Sequence, residues 1–315
     1  MHHLQIHFLA LFLFFITTAS GQYNTENLTP LVDSEVQEQF NCEKLRLYPI
    51  MANDVFRRAH ADVGRSVPMN KALQDGRLQV KEQNGGASVN TLQVINTSKD
   101  TIYLMQGEVV VGGQQDRMLA QDLLVPPGKT MDIGAFCVEQ GRWSENGTGQ
   151  GFERTAGVVS QDLRRAAAVD KEQSEVWEKV RTNLDRAGAR SNTGSYMGMV
   201  NNTEHAAQRA AYRNKLLALP AAHKGMVGVI AVSGNKVIGC DVFANENMFN
   251  AAYPQLIDAY ITEALNSGAQ VSITAKELKD HFNSLFKDEE QLEQKMLGNG
   301  YRFQDGGRTY RISTF

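Results

Sequence analysis

The stretch MVGVIAVSGNKVIGCDVF, residues 226–243, is the clearest indication of fold in the sequence. Its apolar residues form two runs, 226–233 and 236–243, and each run has the length of a β-strand. A short polar segment, Ser-Gly-Asn-Lys at 233–236, joins them and is typical of a tight turn. The stretch therefore predicts an antiparallel hairpin in the C-terminal part of the chain.

Helical patterns lie on both sides of this hairpin. The predicted helical segments are residues 170–188, 202–220, 247–265 and 275–297. The first places apolar side chains four residues apart, which makes one helix face. The second is rich in Ala, with Thr203 as its candidate N-cap and Pro220 as its end. The last is divided near Asp288 and predicts one or two helices.

Short strand patterns with regular turns occupy the part of the chain before these helices. The predicted strands are residues 45–52, 77–83, 88–98, 100–112 and 123–139. Asn84-Gly85-Gly86 is a hairpin-type turn signal, and Pro126-Pro127-Gly128 is a tight turn that excludes helix. Such punctuation is typical of a β-sandwich or a small barrel. At the other end, residues 301–315 predict a second hairpin around Asp305-Gly306-Gly307.

Together these patterns predict an α+β protein with an N-terminal antiparallel β unit, a helical middle and a C-terminal helix plus β-hairpin. We divide the chain into a signal peptide at 1–21, a polar leader at 22–42, a β-rich unit at 43–143 and an α+β unit at 144–315. The last two units are expected to pack together as one compact body.

The first residues, MHHLQIHFLALFLFFITTASG, predict export. Residues 8–16 are all apolar, a run that fits a signal peptide but is shorter than the roughly 20 residues needed to cross a bilayer. Ala19-Ser20-Gly21 fits a cleavage site, which leaves Gln22 as the first residue. The n-region has histidines and no Lys or Arg, so an uncleaved membrane anchor is the alternative. We expect a periplasmic or extracellular protein without a membrane span in its mature part.

Charge and cysteine content limit the functions that remain. Lys and Arg number 32 and Asp and Glu 35, which argues against nucleic acid as a partner, because nucleic-acid binding needs a basic patch. The expected partner is a small molecule or another protein, and no cofactor or metal motif is present. Cys42, Cys137 and Cys240 could form one disulfide in an oxidising compartment. The sequons begin at Asn27, Asn96, Asn146 and Asn201.

Polar and charged residues that could form a site are concentrated in two stretches, GEVVVGGQQDR at 107–117 and CVEQGRW at 137–143. The candidate binding residues are Glu108, Gln115, Arg117, Glu139, Arg142 and Trp143. Two carboxylates, two guanidiniums and an indole near strand ends can form a small polar pocket, and Arg suits the capture of carboxylate or phosphate. Cys137 is a candidate reactive thiol. GGQQDR is better explained as a turn that needs positive φ than as a phosphate loop.

Three hypotheses remain open for this group of residues. The first is a non-enzymatic binding or interaction module. The second is a hydrolase that uses Glu108, Glu139 and Arg117, with or without Cys137, although no His base is tied to that thiol by the sequence. The third is a purely structural ion pair, with the function elsewhere on the molecule. Ser195, in a Gly-rich stretch, is interpreted as part of a linker between helices.

The pattern of these two stretches resembles the ARG and rhodanese-phosphatase-superfamily-associated protein domain family, a group of uncharacterised bacterial and archaeal proteins. The matching residues are Gly107, Glu108, Gly113, Gln115, Arg117, Cys137, Glu139, Gly141, Arg142 and Trp143. The likeness extends to Tyr-Pro-Ile at 48–50 and to the hairpin at 226–243. The family name refers to association with other domains, so the resemblance implies no particular activity, substrate or catalytic residue.

Overall fold

The computed structural model describes residues 23–32, 38–83, 90–142 and 151–315. The signal peptide predicted at 1–21, the turn predicted at 84–86 and Trp143 lie outside these residues. The fold is α+β, with antiparallel sheets, a helical middle and a C-terminal helix plus hairpin, as the sequence predicts. In the described part of the chain, no helix is long and apolar enough to cross a membrane.

The described residues form three sheets and a set of helices that pack on them. The strands are β1 (Leu28–Pro30), β2 (Asn41–Cys42), β3 (Leu45–Ala52), β4 (Val67–Pro68), β5 (Leu78–Glu82), β6 (Thr91–Asn96), β7 (Ile102–Leu104), β8 (Glu108–Gly112), β9 (Arg117–Leu119), β10 (Leu123–Val125), β11 (Thr130–Cys137), β12 (Phe152–Val158), β13 (Met226–Ser233), β14 (Lys236–Phe243), β15 (Gly300–Asp305) and β16 (Arg308–Thr314). The helices are α1 (Asp54–Ala59), α2 (Met69–Gln74), α3 (Gln161–Arg165), α4 (Gln173–Arg186), α5 (Met197–Val200), α6 (Thr203–Leu216), α7 (Leu219–Ala222), α8 (Glu246–Ser267), α9 (Ala275–Phe286) and α10 (Glu289–Met296). A π-helical segment, Ala166–Asp170, continues α3.

The largest sheet combines strands from both ends of the chain. Its order is β1-β3-β13-β14-β16-β15, with β2 also paired to β3. The hairpin predicted at 226–243 is confirmed as β13 and β14, with Gly234 at φ +60 in the turn. β3 pairs with β13, and Pro49 lies opposite Val229. The first strand of the predicted β-rich unit therefore belongs to a sheet that the C-terminal strands complete.

Helices cover both faces of this sheet. Val229 and Ala231 lie in the core that includes Leu256 and Tyr260 of α8, while Ile230 packs with the residues of α9 and α10 on the opposite side. Alternate residues of β13 thus face different helices, and all eight are buried. This is why the strand is apolar up to its last residue, Ser233, instead of alternating with polar residues.

A second sheet forms a nearly closed barrel. Its order is β12-β8-β9-β11-β6-β5, and a β-bridge between Lys81 and Gly151 brings its two edges together. Apolar side chains from the strands fill the interior, among them Val110, Leu119 and Phe152. The small-barrel alternative of the sequence analysis describes this sheet. One mouth of the barrel lies at the last residues of β5, β8 and β11 and the first residues of β9 and β12.

The run 100–112, which the sequence predicts as one strand, is two strands in different sheets. β7 pairs with β10 and β4, whereas β8 belongs to the barrel. Between them Gly107 has a φ of +88, and a Cβ on it would lie 2.9 Å from the Cγ atom of Arg164. Only glycine fits this combination of backbone conformation and close contact. Because apolar residues continue on both sides, the break is hidden in the sequence.

The predicted helices are present, with differences at their ends. Val176, Val180 and Leu184 of α4 are buried, as their spacing predicts. The N-cap of α6 is Asn202 and not Thr203, because the Asn202 side chain accepts the hydrogen bond of the His205 backbone N–H at 3.0 Å. Asp288 caps α10 and divides the last predicted segment into α9 and α10. Neither α1 nor β12 has a counterpart among the sequence-based predictions.

Candidate functional site

Arg142 joins two loops at the mouth of the barrel. Its Nε donates to Glu139 Oε2 at 2.7 Å, and its Nη2 donates to Asp116 Oδ1 at 3.1 Å. Its Nη1 also donates to the carbonyl oxygen of Gly113 at 3.1 Å. About a third of the Arg142 side chain, 33%, is exposed, while both carboxylates are buried. The guanidinium therefore locks the β8–β9 turn to the segment after β11.

The β8–β9 turn has the backbone that the sequence predicts for GGQQDR. Gly112 and Gly113 have φ values of +131 and +55. The N–H of Gly112 donates to Asp116 Oδ1 at 3.1 Å, which closes the turn. Burial raises the pKa of Asp116 above its ordinary value, and the Glu139 carboxylate adds to this effect, while Arg142 opposes it.

A third segment, around Ser195, completes this group of residues. The Ser195 hydroxyl donates to Asp116 Oδ2 at 3.2 Å, and the Thr193 hydroxyl donates to Glu139 Oε1 at 2.7 Å. A β-bridge also joins Glu139 to Ser195. The segment interpreted as a linker is therefore a structural partner of both carboxylates. We call Asp116, Glu139, Arg142, Thr193 and Ser195 the rim cluster.

Arg117 lies behind the rim cluster, inside the mouth of the barrel. The register places Arg117 opposite Val110 and Cys137, on the face that points into the barrel core. Its side chain is fully buried, and its Nη1 donates to Gln115 Oε1 at 3.0 Å. Gln115 in turn donates to the Glu139 carbonyl at 2.8 Å, so it connects Arg117 to the rim cluster.

Two nitrogens of Arg117 have no hydrogen-bond partner among the described residues. These are Nε and Nη2, and both are buried. Nη2 lies 3.5 Å from Glu82 Oε1, so Glu82 balances the charge without satisfying the donors. A buried donor without an acceptor costs about 1–3 kcal/mol, and more when it is charged. Such a group in a native structure calls for an explanation.

Cys137 is the neighbour of Arg117 on the adjacent strand. Burial raises the pKa of its thiol, which favours the protonated form, and Arg117 opposes this only in part. The backbone of Cys137 is held on both sides by Gln173, whose side chain donates to the Cys137 carbonyl and accepts from its N–H, each at 2.9 Å. All three cysteines are free and buried.

Glu108 lies apart from the other candidate residues. It is buried at the start of β8, and its Oε2 accepts a hydrogen bond from the Met105 backbone N–H at 2.8 Å. Burial raises its pKa to about 8, and the nearby Asp122 carboxylate adds to the effect. Of the six residues named from the sequence, the structure thus joins Gln115, Arg117, Glu139 and Arg142 and separates Glu108, while Trp143 lies outside the described residues.

A second polar cluster, which the sequence analysis missed, lies at the centre of the molecule. Arg164 donates to both oxygens of Asp241 at 2.9 and 3.1 Å, and Arg311 donates to Asp241 Oδ1 at 2.6 Å through Nη2. The hydroxyls of Tyr260 and Ser313 donate to the same carboxylate. Although burial raises the pKa of Asp241, the two arginines outweigh it and hold that pKa far below its ordinary value.

This central cluster connects the barrel to the large sheet. Arg311 of β16 also donates to Asp122 Oδ1 at 2.8 Å, and the N–H of Gln106 donates to the same oxygen at 2.7 Å. Both arginines and Asp241 have no exposed surface. Their hydrogen bonds join β14, β16, α3 and the segments around Gln106 and Asp122. One sequence signal was available, since Asp241 is a charged residue inside an otherwise apolar strand.

Neither cluster has the composition of a metal site. Within the described ranges, no group of three or more His, Cys, Asp or Glu residues is arranged to hold a metal ion. The rim cluster is instead a rigid set of hydrogen bonds at an opening of the barrel, and Arg117 behind it has unused donors.

Comparison with known proteins identifies the family. The sequence model of the ARG and Rhodanese-Phosphatase-superfamily-associated Protein domain matches residues 33–313. The chain belongs to this family, as the resemblance of the two polar stretches predicts. The comparison with curated proteins found no match, and neither did the comparison with solved structures.

Proposed function

We propose that the chain is an exported, non-enzymatic binding module, and that it recognises a ligand with a carboxylate or phosphate group at the mouth of the barrel. The observation that carries the proposal is the buried guanidinium of Arg117, whose Nε and Nη2 have no hydrogen-bond acceptor among the described residues. A carboxylate or a phosphate offers two oxygens with the spacing that a guanidinium needs. The ligand supplies the acceptors that the described residues do not provide.

The rim cluster gives this site a rigid frame. Arg142 is held by Glu139, by Asp116 and by a backbone carbonyl, so the loops around the mouth keep a defined shape. A preorganised frame lowers the entropy that a ligand loses on binding. Because the Arg117 side chain is fully buried, side chains at the mouth must move aside for a ligand to reach it, while the loop backbone held by the rim cluster keeps its shape.

The state of the described candidate residues, Cys137 and Glu108, supports binding over hydrolysis. The Cys137 thiol is buried and has a raised pKa, so it is a weak nucleophile in the observed state. Glu108, which the hydrolase alternative uses, has its hydrogen bond with the backbone of Met105.

The test uses a paired substitution, Glu82→Gln with Arg117→Met. Replacing a buried ion pair by neutral side chains of similar size is often neutral or stabilising, so the variant is expected to unfold at the same or a higher temperature than the wild type. Succinate and phosphate, added separately at constant ionic strength, are expected to raise the wild-type unfolding temperature and to leave that of the variant unchanged. The measurement is calorimetric thermal unfolding.

The matched control is the exposed ion pair of Arg77 and Asp100, whose atoms lie 3.0 Å apart at the other end of the barrel. Arg77→Met with Asp100→Asn should keep the anion response. If neither anion stabilises the wild type, or if the buried-pair variant responds as the wild type does, the anion site at Arg117 is wrong.

Trp143 gives a second readout that does not depend on stability. The chain contains two tryptophans, so Trp177→Phe leaves Trp143, the residue after Arg142, as the single indole. We expect the same anions to change its fluorescence. The converse variant, Trp143→Phe, should show no change. A response that comes from Trp177 alone would argue against a site at the rim cluster.

A further inference from the structure

A cavity of about 300 Å³ lies where the barrel, the large sheet and α8 meet. Its walls come from the segment between α1 and β4, from the neighbourhood of β10 and β11, and from the β15–β16 hairpin. It is separate from the rim cluster and from the central cluster, since it shares no lining residue with either. Its size is at the lower end of the range for small-molecule sites.

Opposite charges face this cavity from two different elements. Arg65 lies before β4, and Asp305 is the last residue of β15. Among the described residues, neither side chain has an ion-pair or hydrogen-bond partner, and both are exposed. Arg65 and Asp305 do not pair with each other, so a ligand between them can bridge the two charges. Tyr310 lines the same cavity as Asp305.

The rest of the lining is divided between hydroxyls and apolar side chains. Ser66, Thr101 and Tyr310 supply hydroxyl groups. Met131 and Met248, together with Leu124, supply apolar surface. Methionine side chains are flexible and polarizable, so they adapt to apolar groups of different shape.

We propose that this cavity binds a free α-amino acid with an apolar side chain. The carboxylate of the amino acid pairs with Arg65, and its ammonium group pairs with Asp305. The apolar side chain lies against Met131 and Met248. The inference is independent of the anion site at Arg117, because it uses other residues and needs a ligand that carries both charges.

Calorimetric titration of the purified protein with L-leucine, L-methionine and L-phenylalanine tests the proposal. Binding is expected for at least one of them, whereas N-acetyl-L-leucine and L-leucinamide, which each lack one charge, should bind at least about tenfold more weakly than L-leucine. The proposal is overturned if none of the three amino acids binds at millimolar concentration. It is equally overturned if the two analogues bind as well as leucine.

Two single variants assign the charges to their partners. Arg65→Gln should weaken leucine binding at least about tenfold and leave leucinamide unaffected, because leucinamide has no carboxylate to lose. Asp305→Asn should weaken leucine binding and leave N-acetyl-leucine unaffected. Both residues are exposed, so folding is not at risk.

Arg58→Gln and Glu153→Gln, at exposed positions that do not line the cavity, are the matched controls and should bind leucine normally. Unchanged binding in the first two variants would overturn the assignment.

Discussion

Glu108 shows how strongly the fold can change the pKa of one side chain. Its carboxyl group is buried, accepts one hydrogen bond from the backbone of Met105 and lies near the second acid, Asp122. Burial raises its pKa from an ordinary value of 4.5 to about 8. In the folded protein it therefore remains protonated at pH values where the unfolded chain has already released the proton.

This difference predicts a pH dependence of stability. Between about pH 4.5 and about pH 8, Glu108 carries a proton in the native state that it has lost in the unfolded state, so for this group raising the pH favours unfolding. The contribution of Glu108 to the free energy of unfolding should fall by up to about 1.4 kcal/mol per pH unit. Glu108→Gln removes the titration, so its stability should fall less steeply across this range. Urea unfolding at a series of pH values measures both slopes.

Wild type and Glu108→Gln are compared by the slope of stability against pH, because the amide at position 108 can also change the stability at every pH. Buried acids that do not interact with Glu108 titrate in both proteins and cancel in the difference, whereas the interaction with Asp122 is part of the effect that is measured. Glu153→Gln, at an exposed position, should keep the wild-type slope. Equal slopes for wild type and Glu108→Gln would show that this carboxyl group titrates normally in the folded protein.

At the level of the elements, local patterns predicted most of the fold. The bounds of β3 and of the 226–243 hairpin follow from apolar runs that end at turn residues. The break at Gly107 could not be predicted, because it depends on the close approach of Arg164 from another element. Glu139 and Arg142 of the rim cluster were named from the sequence as candidate binding residues, whereas Thr193 was not. Ser195 and Asp241 were missed, because their partners are distant in sequence.

The N-terminus of α6 allows a direct test of one difference between the sequence-based prediction and the structure, the identity of the N-cap residue. Asn202→Ala removes the side-chain oxygen that accepts from the His205 backbone N–H, and it should lower the free energy of unfolding by about 1 kcal/mol. Thr203→Ala is the matched variant one position later and should change stability by less than about 0.5 kcal/mol. Chemical denaturation measures both. A larger loss for Thr203→Ala would restore the assignment made from the sequence.

For the molecule as a whole, export is the property to be tested first. Expressed from its first residue in a bacterial host, the chain is expected in the periplasmic fraction with Gln22 at its N-terminus. A chain lacking residues 1–21 should remain in the cytoplasm. Fractionation followed by mass spectrometry distinguishes these outcomes. A full-length chain in the membrane fraction would instead support the uncleaved anchor.

The pairing of β3 with β13 also has a consequence during synthesis. Pro49 cannot meet Val229 until most of the chain has left the ribosome, so during that time β3 has only the short strands β1 and β2 as native partners. Pairings between strands far apart in sequence form late and slowly. For a secreted protein this delay is useful, because a chain that folds late is still unfolded when its N-terminus is engaged by the export machinery and can therefore be translocated. The topology of the largest sheet thus links the timing of folding to the export that we propose for this protein.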